Sequence, residues 1–343
     1  MRRMVATLLG LVGLLWLPDP GRAQSVGEVF KKVAPSVVVI RARGRDISAS
    51  SGLTSFSETG SGVLISSDGK VMTAAHVVHA MDEINVEFLG GETVPAKVIA
   101  SEPAADISLL QLAKVPAKAQ AAKLADSDTV QVGDQVIVVG APYGLSYALT
   151  VGWISARWPP NTVYKTMPLA EFFQTDAVIN TGNSGGPMFN MQGEVIGLVS
   201  HNISKSGGSE GLGFVVTINT AKQLLLDRKS FWSGIEGEVL TDDVADILNL
   251  PPQKLGYIVK TVAKGSPAEA MGVKGATTTA VINGKEIPVG GDILLSIDGI
   301  PVTGKQSDFV KIRERLSSLS PGSPFKITVL RKGQVLELTG KAP

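Results

Sequence analysis

The amino-acid sequence predicts a mainly β protein with two domains and an N-terminal leader. Three observations support this fold class. The chain has 343 residues, of which 44% are hydrophobic, so it is long enough to form two ordinary domain cores. Between residues 62 and 216, short apolar runs alternate with turn residues, a pattern typical of β-barrels and β-sandwiches. After residue 228 the pattern changes to a mixture of helical and strand-like segments.

Residues 1–23 are interpreted as a secretory signal peptide. Two arginines precede an apolar core at residues 5–17, and Gly21 and Ala23 offer a small-residue cleavage site. The core is shorter than the ~20 residues that a membrane-spanning helix requires, so cleavage before Gln24 is favoured over a retained membrane anchor. We therefore expect a periplasmic or secreted protein without a stable membrane span.

The mature chain is predicted to begin with a helix and a strand. Apolar residues at helical spacing across residues 26–33 predict the helix, and the run 37–40 predicts the strand. Segment 44–60 is rich in serine and glycine, with Phe56 as its only aromatic residue, and is predicted to be a mobile surface loop.

The rest of the first domain is predicted to consist of strands and a closing helix. Residues 218–228 have helical spacing and end in basic residues, which predicts the helix that completes a domain of residues 24–228. The apolar runs predicted to be strands are 62–65, 71–72, 84–88, 94–99, 107–112, 135–139, 149–155, 195–200 and 213–216.

Composition excludes several classes of function. Thirty-two basic and 31 acidic residues almost balance, and no basic cluster with interleaved aromatic residues indicates a nucleic-acid partner. The absence of cysteine excludes a disulfide framework and a thiolate metal site. Three histidines do not indicate a zinc site. We therefore expect no metal and no cofactor.

The stretch 174–187 contains the strongest chemical signal. Ser184 lies among glycines that allow a tight turn, so the N–H groups of Gly182, Asn183 and Ser184 can point to one spot beside the hydroxyl. This arrangement predicts a nucleophilic serine with an oxyanion hole. Taken alone, the stretch fits an ordinary glycine-rich turn better.

The order of residues along the chain favours the catalytic interpretation. The same glycine spacing fits the nucleophile elbow of α/β-hydrolases, but there the acid and the histidine follow the serine. Here only His201 follows Ser184, whereas His76 and Asp106 precede it in apolar surroundings. The order His, Asp, Ser is that of chymotrypsin.

Each member of this set has a chemical role. His76 is predicted to act as general base and then general acid, because an ordinary histidine pKa near 6.5 suits proton transfer around neutral pH. Asp106 is predicted to hold the imidazole; alone, it would be interpreted as a solvated acid at a strand edge. His79 and His201 are interpreted as structural.

Five stretches together resemble the bacterial HtrA family, the Deg serine proteases, and the similarity extends from about residue 26 to the C-terminus. Thr181 departs from the family, which often has proline there. The resemblance implies a chymotrypsin-like double β-barrel and a homotrimer. The matching stretches are 60–69, 73–78, 106–110, 140–145 and 174–187.

The primary specificity pocket is predicted from its distance to the serine. Val178 and Ile179 lie where chymotrypsin-like enzymes line this pocket, and neither is acidic. A Lys or Arg side chain would enter the pocket without a partner, so we expect cleavage after Val, Ile, Ala or Leu.

The second domain, residues 229–343, resembles a bacterial PDZ domain. Residues Trp232, Ser233, Gly234 and Ile235 match the loop whose backbone N–H groups capture a peptide C-terminus, although a plain β-turn is the simpler interpretation of the loop alone. Residues 276–290 form an insertion relative to the family, and its Asn283-Gly284 pair predicts a hairpin.

The sequence therefore predicts an exported, ATP-independent serine endopeptidase. The resemblance implies that it cleaves unfolded or misfolded proteins and that its PDZ domain senses peptide termini. An alternative is a chaperone or peptide-binding scaffold with an idle protease fold. A secreted esterase is disfavoured by the triad order and by the second domain.

Overall fold

The computed structural model describes residues 24–342, except 49–51, 146, 229, 241, 249 and 251–254. The predicted signal peptide lies outside these residues. Within the described ranges, no helix is both long and apolar enough to cross a membrane.

The first domain begins with a helix and a closed six-stranded barrel. Helix α1 (Val26–Val33), predicted at these residues, starts at Ser25, whose hydroxyl accepts the N–H of Glu28. The strands run in the order β1-β2-β3-β6-β5-β4. Their bounds are β1 Val37–Ser48, β2 Gly52–Leu64, β3 Lys70–Thr73, β4 Glu83–Phe88, β5 Thr93–Glu102 and β6 Ile107–Leu112, with the short helix α2 (Ala75–Val78) after β3.

A second closed barrel follows, with strands in the order β10-β11-β12-β9-β8-β7. The predicted closing helix is confirmed as α3 (Ile218–Ala221), which continues as the π-helical turn Lys222–Asp227. The two barrels confirm the predicted mainly β class. Their remaining strands are β7 Gln135–Gly140, β8 Ala148–Trp158, β9 Phe172–Thr175, β10 Pro187–Asn190, β11 Val195–Asn202 and β12 Gly213–Thr217.

The two barrels share an apolar interface. Met72 and Ile107 of the first barrel belong to the same buried cluster as Ile137 and Phe189 of the second. Burial of each such side chain stabilises the fold by roughly 1.5–3 kcal/mol. The interface fixes one barrel against the other, and the loops that leave both barrels at this junction meet.

The prediction of a mobile loop at residues 44–60 is wrong, because most of this segment belongs to a long hairpin. Strands β1 and β2 pair continuously from Val37 opposite Val63 to Ser48 opposite Gly52. Much of the outer part of β2 is exposed, so backbone hydrogen bonds to β1 hold it rather than apolar burial. Phe56 packs over Gly44, where a Cβ atom would meet the phenyl ring at 2.9 Å.

The second domain is built on a sheet in the order β13-β14-β17-β19-β20, with β18 beside β17. Val259, Phe325 and Val329 lie in its core. Its strands are β13 Ile235–Val239, β14 Tyr257–Val262, β17 Ile293–Ile297, β18 Ile300–Pro301, β19 Pro324–Arg331 and β20 Gln334–Lys341, and its helices are α4 Asp242–Ile247, α5 Pro267–Ala270 and α6 Gln306–Ser317.

The hairpin predicted in the insertion is confirmed as β15 (Thr278–Ile282) and β16 (Lys285–Val289). Asn283 and Gly284 at its tip have φ of 52° and 77°, the positive values that a two-residue type I′ turn requires. At its base, the N–H of Thr277 donates to the carbonyl of Val289 at 3.0 Å. The hairpin packs against β1 and β2 of the first barrel.

Charged groups join the two domains at several points. Arg45 forms an ion pair with Asp82 at 2.7 Å and also donates to the carbonyl of Val262 at 3.1 Å. On the other side of the junction, Arg313 of α6 pairs with Glu102 of β5 at 2.9 Å. Burial raises the pKa of Glu102, and the charge of Arg313 opposes this.

A partly buried histidine, His79, connects the helix of the first barrel to the start of β13. His79 Nε2 donates to the carbonyl of Ile235 at 3.0 Å, and its Nδ1 accepts from the hydroxyl of Ser101 at 2.8 Å. The indole N–H of Trp232 donates to the carbonyl of His79 at 2.8 Å. Burial lowers the pKa of His79 to about 4, although the hydrogen bond to Ile235 favours the charged form.

We expect this histidine to make folding stability depend on pH. Below the ordinary pKa of 6.5, the unfolded chain takes up a proton at His79, but the folded chain does not until about pH 4. Stability is therefore present above pH 6.5 and is lost as the pH falls towards 4. Thermal unfolding between pH 7.5 and 5 should show a smaller decrease in Tm for His79→Gln than for the parent. Identical decreases in both proteins would contradict this.

Candidate active site

The barrel junction brings His76 and Asp106 together. His76 lies on α2, and Asp106 directly precedes β6 in the left-handed conformation, with φ of 54°. His76 Nδ1 lies 2.9 and 3.0 Å from the two carboxylate oxygens, and the backbone N–H of His76 donates to Oδ1 at 3.1 Å. The carboxylate is buried, whereas the imidazole is half-exposed. Asp106 therefore fixes the ring with its Nε2 edge open to the cleft.

The electrostatics of His76 suit a base that becomes charged during reaction. Burial lowers its pKa, but the hydrogen bond and charge of Asp106, with a smaller contribution from Glu58, outweigh burial and raise the pKa above 6.5. A raised pKa means that the imidazolium form is stabilised when the ring accepts a proton.

Asp106 has a further partner that the sequence analysis missed. The hydroxyl of Ser200, at the end of β11, donates to Asp106 Oδ2. Ser200 is buried in the second barrel, so this contact joins the acid of one barrel to a strand of the other. A serine at the end of an apolar strand gives no sequence signal of this contact.

The serine loop between β9 and β10 is held by Ser61 of β2, which the sequence analysis also missed. The Ser61 hydroxyl donates to the carbonyl of Gly182 at 2.7 Å, and its backbone N–H donates to the carbonyl of Ser184 at 2.8 Å. The N–H of Tyr143 donates to the carbonyl of Thr181 at 2.8 Å. Each bond fixes the orientation of one peptide plane.

These fixed planes determine which N–H groups face the cleft. In a trans peptide the N–H points in the direction opposite to the carbonyl. Because the Thr181 carbonyl is bound on one side of its peptide, the Gly182 N–H points to the opposite side. The Asn183 carbonyl, which accepts from Gly186, orients the Ser184 N–H in the same manner. Neither N–H has a partner among the described residues. The N–H of Asn183, by contrast, donates to Asn180 at 3.0 Å. Of the three predicted donors, two are free to bind an oxyanion.

Glycine is required at two positions of this loop. Gly182 and Gly185 have φ of 98° and 78°. A Cβ atom would lie 2.2 Å from the Ala141 carbonyl oxygen at the first position and 2.1 Å from Thr73 Oγ1 at the second. Both contacts are far shorter than van der Waals separation, so only glycine fits at either position. Gly185 lies against the first barrel, whereas Gly182 lies against the loop after β7 of its own barrel.

Ser184 lies at the mouth of the same cleft, but its hydroxyl is not bonded to His76. Ser184 Oγ donates to the carbonyl of Ser200 at 3.4 Å, and His76 Nε2 has no hydrogen-bond partner in the described part of the chain. Bonds between nucleophile and base are often long before substrate binds.

A cavity of about 890 Å³ continues from this cleft into the second domain. Ile179, predicted for the specificity pocket, lines it; Val178 does not, and its side chain is 46% exposed. Adjacent residues of an extended segment point to opposite sides, which explains the difference. Of the predicted carboxylate loop, Ser233 and Ile235 line the cavity, whereas Trp232 and Gly234 do not.

The carboxylate loop is shaped by its own hydrogen bonds. Gly234 has φ of 74°, and the N–H of Ile235 donates to the Ser233 hydroxyl at 3.2 Å. The Trp232 side chain is turned towards the first barrel by its bond to His79. The described residues contain no group of three or more His, Cys, Asp or Glu that could hold a metal ion.

Two barrels with a His–Asp pair facing a glycine-rich serine loop, joined to a further small sheet domain, define a trypsin-like serine endopeptidase with an appended domain. Family comparison assigns both parts: residues 60–198 match the trypsin-like peptidase domain, and residues 234–341 match the PDZ domain. The chain belongs to the HtrA (Deg) family of serine endopeptidases and carries one PDZ domain.

Named relatives agree with this assignment. The periplasmic pH-dependent serine endoprotease DegQ of Escherichia coli (strain K12) is 33% identical, over 93% of this chain and 70% of its own. A probable periplasmic serine endoprotease, DegP-like, of Pseudomonas putida (strain W619) is 35% identical over 80% of this chain. This chain spans 53% of the length of that relative.

Solved structures give the same result. The HtrA-type protease AlgW with a decapeptide is 27% identical, with a TM-score of 0.53, and the match covers 92% of this chain and 98% of that one. AlgW with a tripeptide is 29% identical, with the same TM-score of 0.53.

Removal of the Ser61 hydroxyl should impair turnover more than folding. In Ser61→Ala the Gly182 carbonyl loses its partner, so the peptide that lies between the two oxyanion donors, Gly182 and Ser184, is no longer held. We expect kcat to fall roughly 10- to 100-fold. The unpaired buried carbonyl should also cost about 1–3 kcal/mol of stability.

The matched control is Ser127→Ala. Ser127 is also fully buried and its hydroxyl accepts a backbone N–H, from Asn219 at 3.1 Å, but it lies away from the cleft. Steady-state kinetics and thermal unfolding of both variants separate the two effects. Equal kcat values for the two variants would show that Ser61 does not align the oxyanion site.

Proposed function

We propose that His76, Asp106 and Ser184 are the catalytic triad of an ATP-independent endopeptidase that cleaves unfolded or misfolded proteins. The main support is the pairing of His76 Nδ1 with Asp106 at 2.9 Å, directly across the cleft from a serine loop with two free N–H groups. Ser184 Oγ attacks the scissile carbonyl carbon while His76 Nε2 accepts the serine proton. The N–H groups of Gly182 and Ser184 stabilise the oxyanion.

The second half of the reaction uses the same groups. The imidazolium of His76 donates its proton to the leaving amine, and water, deprotonated by the ring, then hydrolyses the acyl-enzyme. Asp106 stabilises the charged ring at both stages. Peptide hydrolysis by this route requires water as the only co-reactant, which supports independence from ATP.

The shape of the cleft supports unfolded proteins as substrates. Ile235 and Phe309 of the PDZ domain line one side of the cavity. An extended chain segment therefore fits into the cavity more readily than the surface of a folded protein. Residence in the periplasm is supported by the leader-like N-terminal sequence and by the names of the relatives. Assembly as a homotrimer is part of the same proposal and is supported by the family resemblance.

We further propose that small aliphatic side chains occupy the primary pocket. Ile179 forms its apolar wall. Asp106, the buried carboxylate nearby, already accepts hydrogen bonds from His76 and Ser200, so it offers no free partner to a basic side chain. Burying an unpaired Lys or Arg there would cost several kcal/mol.

Replacement of the nucleophile tests the enzyme chemistry. Ser184→Ala removes the acyl-enzyme route, and we expect kcat on casein to fall by roughly 10⁴ or more without loss of the fold. Mass spectrometry of the fragments from the parent should show Val, Ile, Ala or Leu before the cut. The control is Ser320→Ala, an exposed serine of the second domain. Parental activity in Ser184→Ala would refute the triad, and cuts mainly after Lys or Arg would refute the pocket.

The PDZ domain is proposed to sense peptide C-termini and to pass this signal to the first barrel. Phe309 and Ile312, which line the cavity, lie on α6. This helix also carries Arg313, the partner of Glu102. Glu102 is four residues from Asp106 in sequence. The carboxylate loop is bonded through Ile235 to His79, on the segment that also carries His76. Both connections end beside the catalytic pair.

A peptide titration tests this proposal. A hydrophobic C-terminal peptide with micromolar affinity gains about 8 kcal/mol in total. If about 1–3 kcal/mol of that favours the active arrangement, activity rises roughly 5- to 150-fold. A peptide ending in Val, Phe or Leu should activate cleavage of a chromogenic substrate, whereas its C-terminal amide should not. An equal response to both peptides, or a response that persists in a truncation after Ser230, would show that the loop is not the sensor.

A further inference from the structure

His201 lies against the group that holds Asp106. Its Nδ1 is 2.8 Å from the Ser200 hydroxyl oxygen, which itself is bonded to Asp106 Oδ2. The two contacts share one serine proton. An ionised carboxylate can only accept hydrogen bonds, so the Ser200 proton must point to Asp106. The bond between Ser200 and His201 then requires the proton to lie on His201 Nδ1.

The surroundings of His201 hold the ring in this position. Phe214 stacks on it with ring centroids 5.7 Å apart and 17° between the planes, and Tyr164 meets it edge-on at 3.9 Å. His201 Nε2 is buried and has no hydrogen-bond partner among the described residues. Aromatic packing therefore fixes the ring, and its one polar contact within the described part of the chain is with Ser200.

The charge state of His201 is consistent with a neutral donor. Burial lowers its pKa to about 4, the negative charge of Asp106 opposes this, and His76 adds to it. The ring of Tyr164 also packs against His201, and burial raises the pKa of the Tyr164 hydroxyl to about 12. Near neutral pH, the ring is uncharged and carries one proton.

We propose that His201 is a positioning residue for the catalytic acid, acting through Ser200. In its neutral Nδ1–H tautomer it donates to the Ser200 hydroxyl, which donates to Asp106, so that the carboxylate is held on one side by Ser200 and on the other by His76. Hydrogen bonds in such a chain strengthen one another in a low-dielectric interior. The inference rests on the proposed role of Asp106 as catalytic acid.

The tautomer can be read directly by NMR. The chain has three histidines, His76, His79 and His201, so the intact protein labelled with ¹⁵N-histidine gives a spectrum that single substitutions can assign. At pH 7, His201 should show a protonated Nδ1 and a bare Nε2, unchanged down to about pH 5. A protonated Nε2 with a bare Nδ1 would mean that Ser200 donates to His201 rather than to Asp106, and the proposal would fall.

Two substitutions separate positioning from packing. His201→Phe keeps the aromatic stack but loses the donor, and we expect kcat to fall roughly 3- to 10-fold, the scale of one neutral hydrogen bond, with little change in KM. The low-field Nδ1–H resonance of His76 should shift. His201→Asn places an amide donor near the same site and should restore both readouts towards the parent.

The outcomes distinguish this inference from the proposed function. A parental kcat and an unmoved His76 resonance in His201→Phe would overturn the positioning role. A variant that fails to fold leaves the tautomer of the parent protein as the deciding measurement. An active Ser184→Ala would refute the proposed triad, whereas the tautomer measurement uses no substrate and is judged separately.

Discussion

The geometry of the active site depends on the hydrogen bonds that Ser61 makes across the barrel junction. The histidine and the acid come from one barrel and the serine from the other, so their relative position is only as exact as the contact between barrels. Ser61 holds the carbonyls of Gly182 and Ser184, and its own carbonyl accepts from Thr73. Because Gly185, next to Ser184, has no side chain, the backbone of the serine loop approaches that of β2 closely enough for these bonds to form. Ser61 thus holds the peptides on either side of Ser184, while bonds within the second barrel, to the carbonyls of Thr181 and Asn183, turn the two free N–H groups.

Most of the fold could be predicted from local patterns, and the misses have physical causes. Apolar runs of four or more residues marked most of the strands because each buries a face in a barrel. Strands β9 and β10 were missed because each is only four residues long and contains just two large apolar residues. The hairpin of β1 and β2 was predicted as a loop because its outer half is held by backbone bonds, which leave no trace in side-chain polarity.

The site was predictable where the chemistry dictates the residue type. His76, Asp106 and Ser184 could be predicted because a proton-transfer chain requires those groups in a known order, and the structure brings the first two into contact. Ser61 and Ser200 were not, because a positioning hydroxyl looks like any other serine until the second barrel is in place. Val178 and the Asn183 N–H were included by sequence proximity alone, and the direction of each group differs from that of its neighbour.

The insertion hairpin shows how a domain can acquire new surface without disturbing its own sheet. The segment leaves and returns at almost one point: Gly291 lies so close to Gly275 that a Cβ on it would be 2.6 Å from the Gly275 carbonyl carbon. Strands β14 and β17, which flank the insertion in sequence, still pair directly. Because the two ends of the hairpin lie side by side, the insertion does not alter the pairing register of β14 with β17. A segment of different length could be accommodated at such a site, so the contact with the first barrel can change without altering the sheet of the PDZ domain.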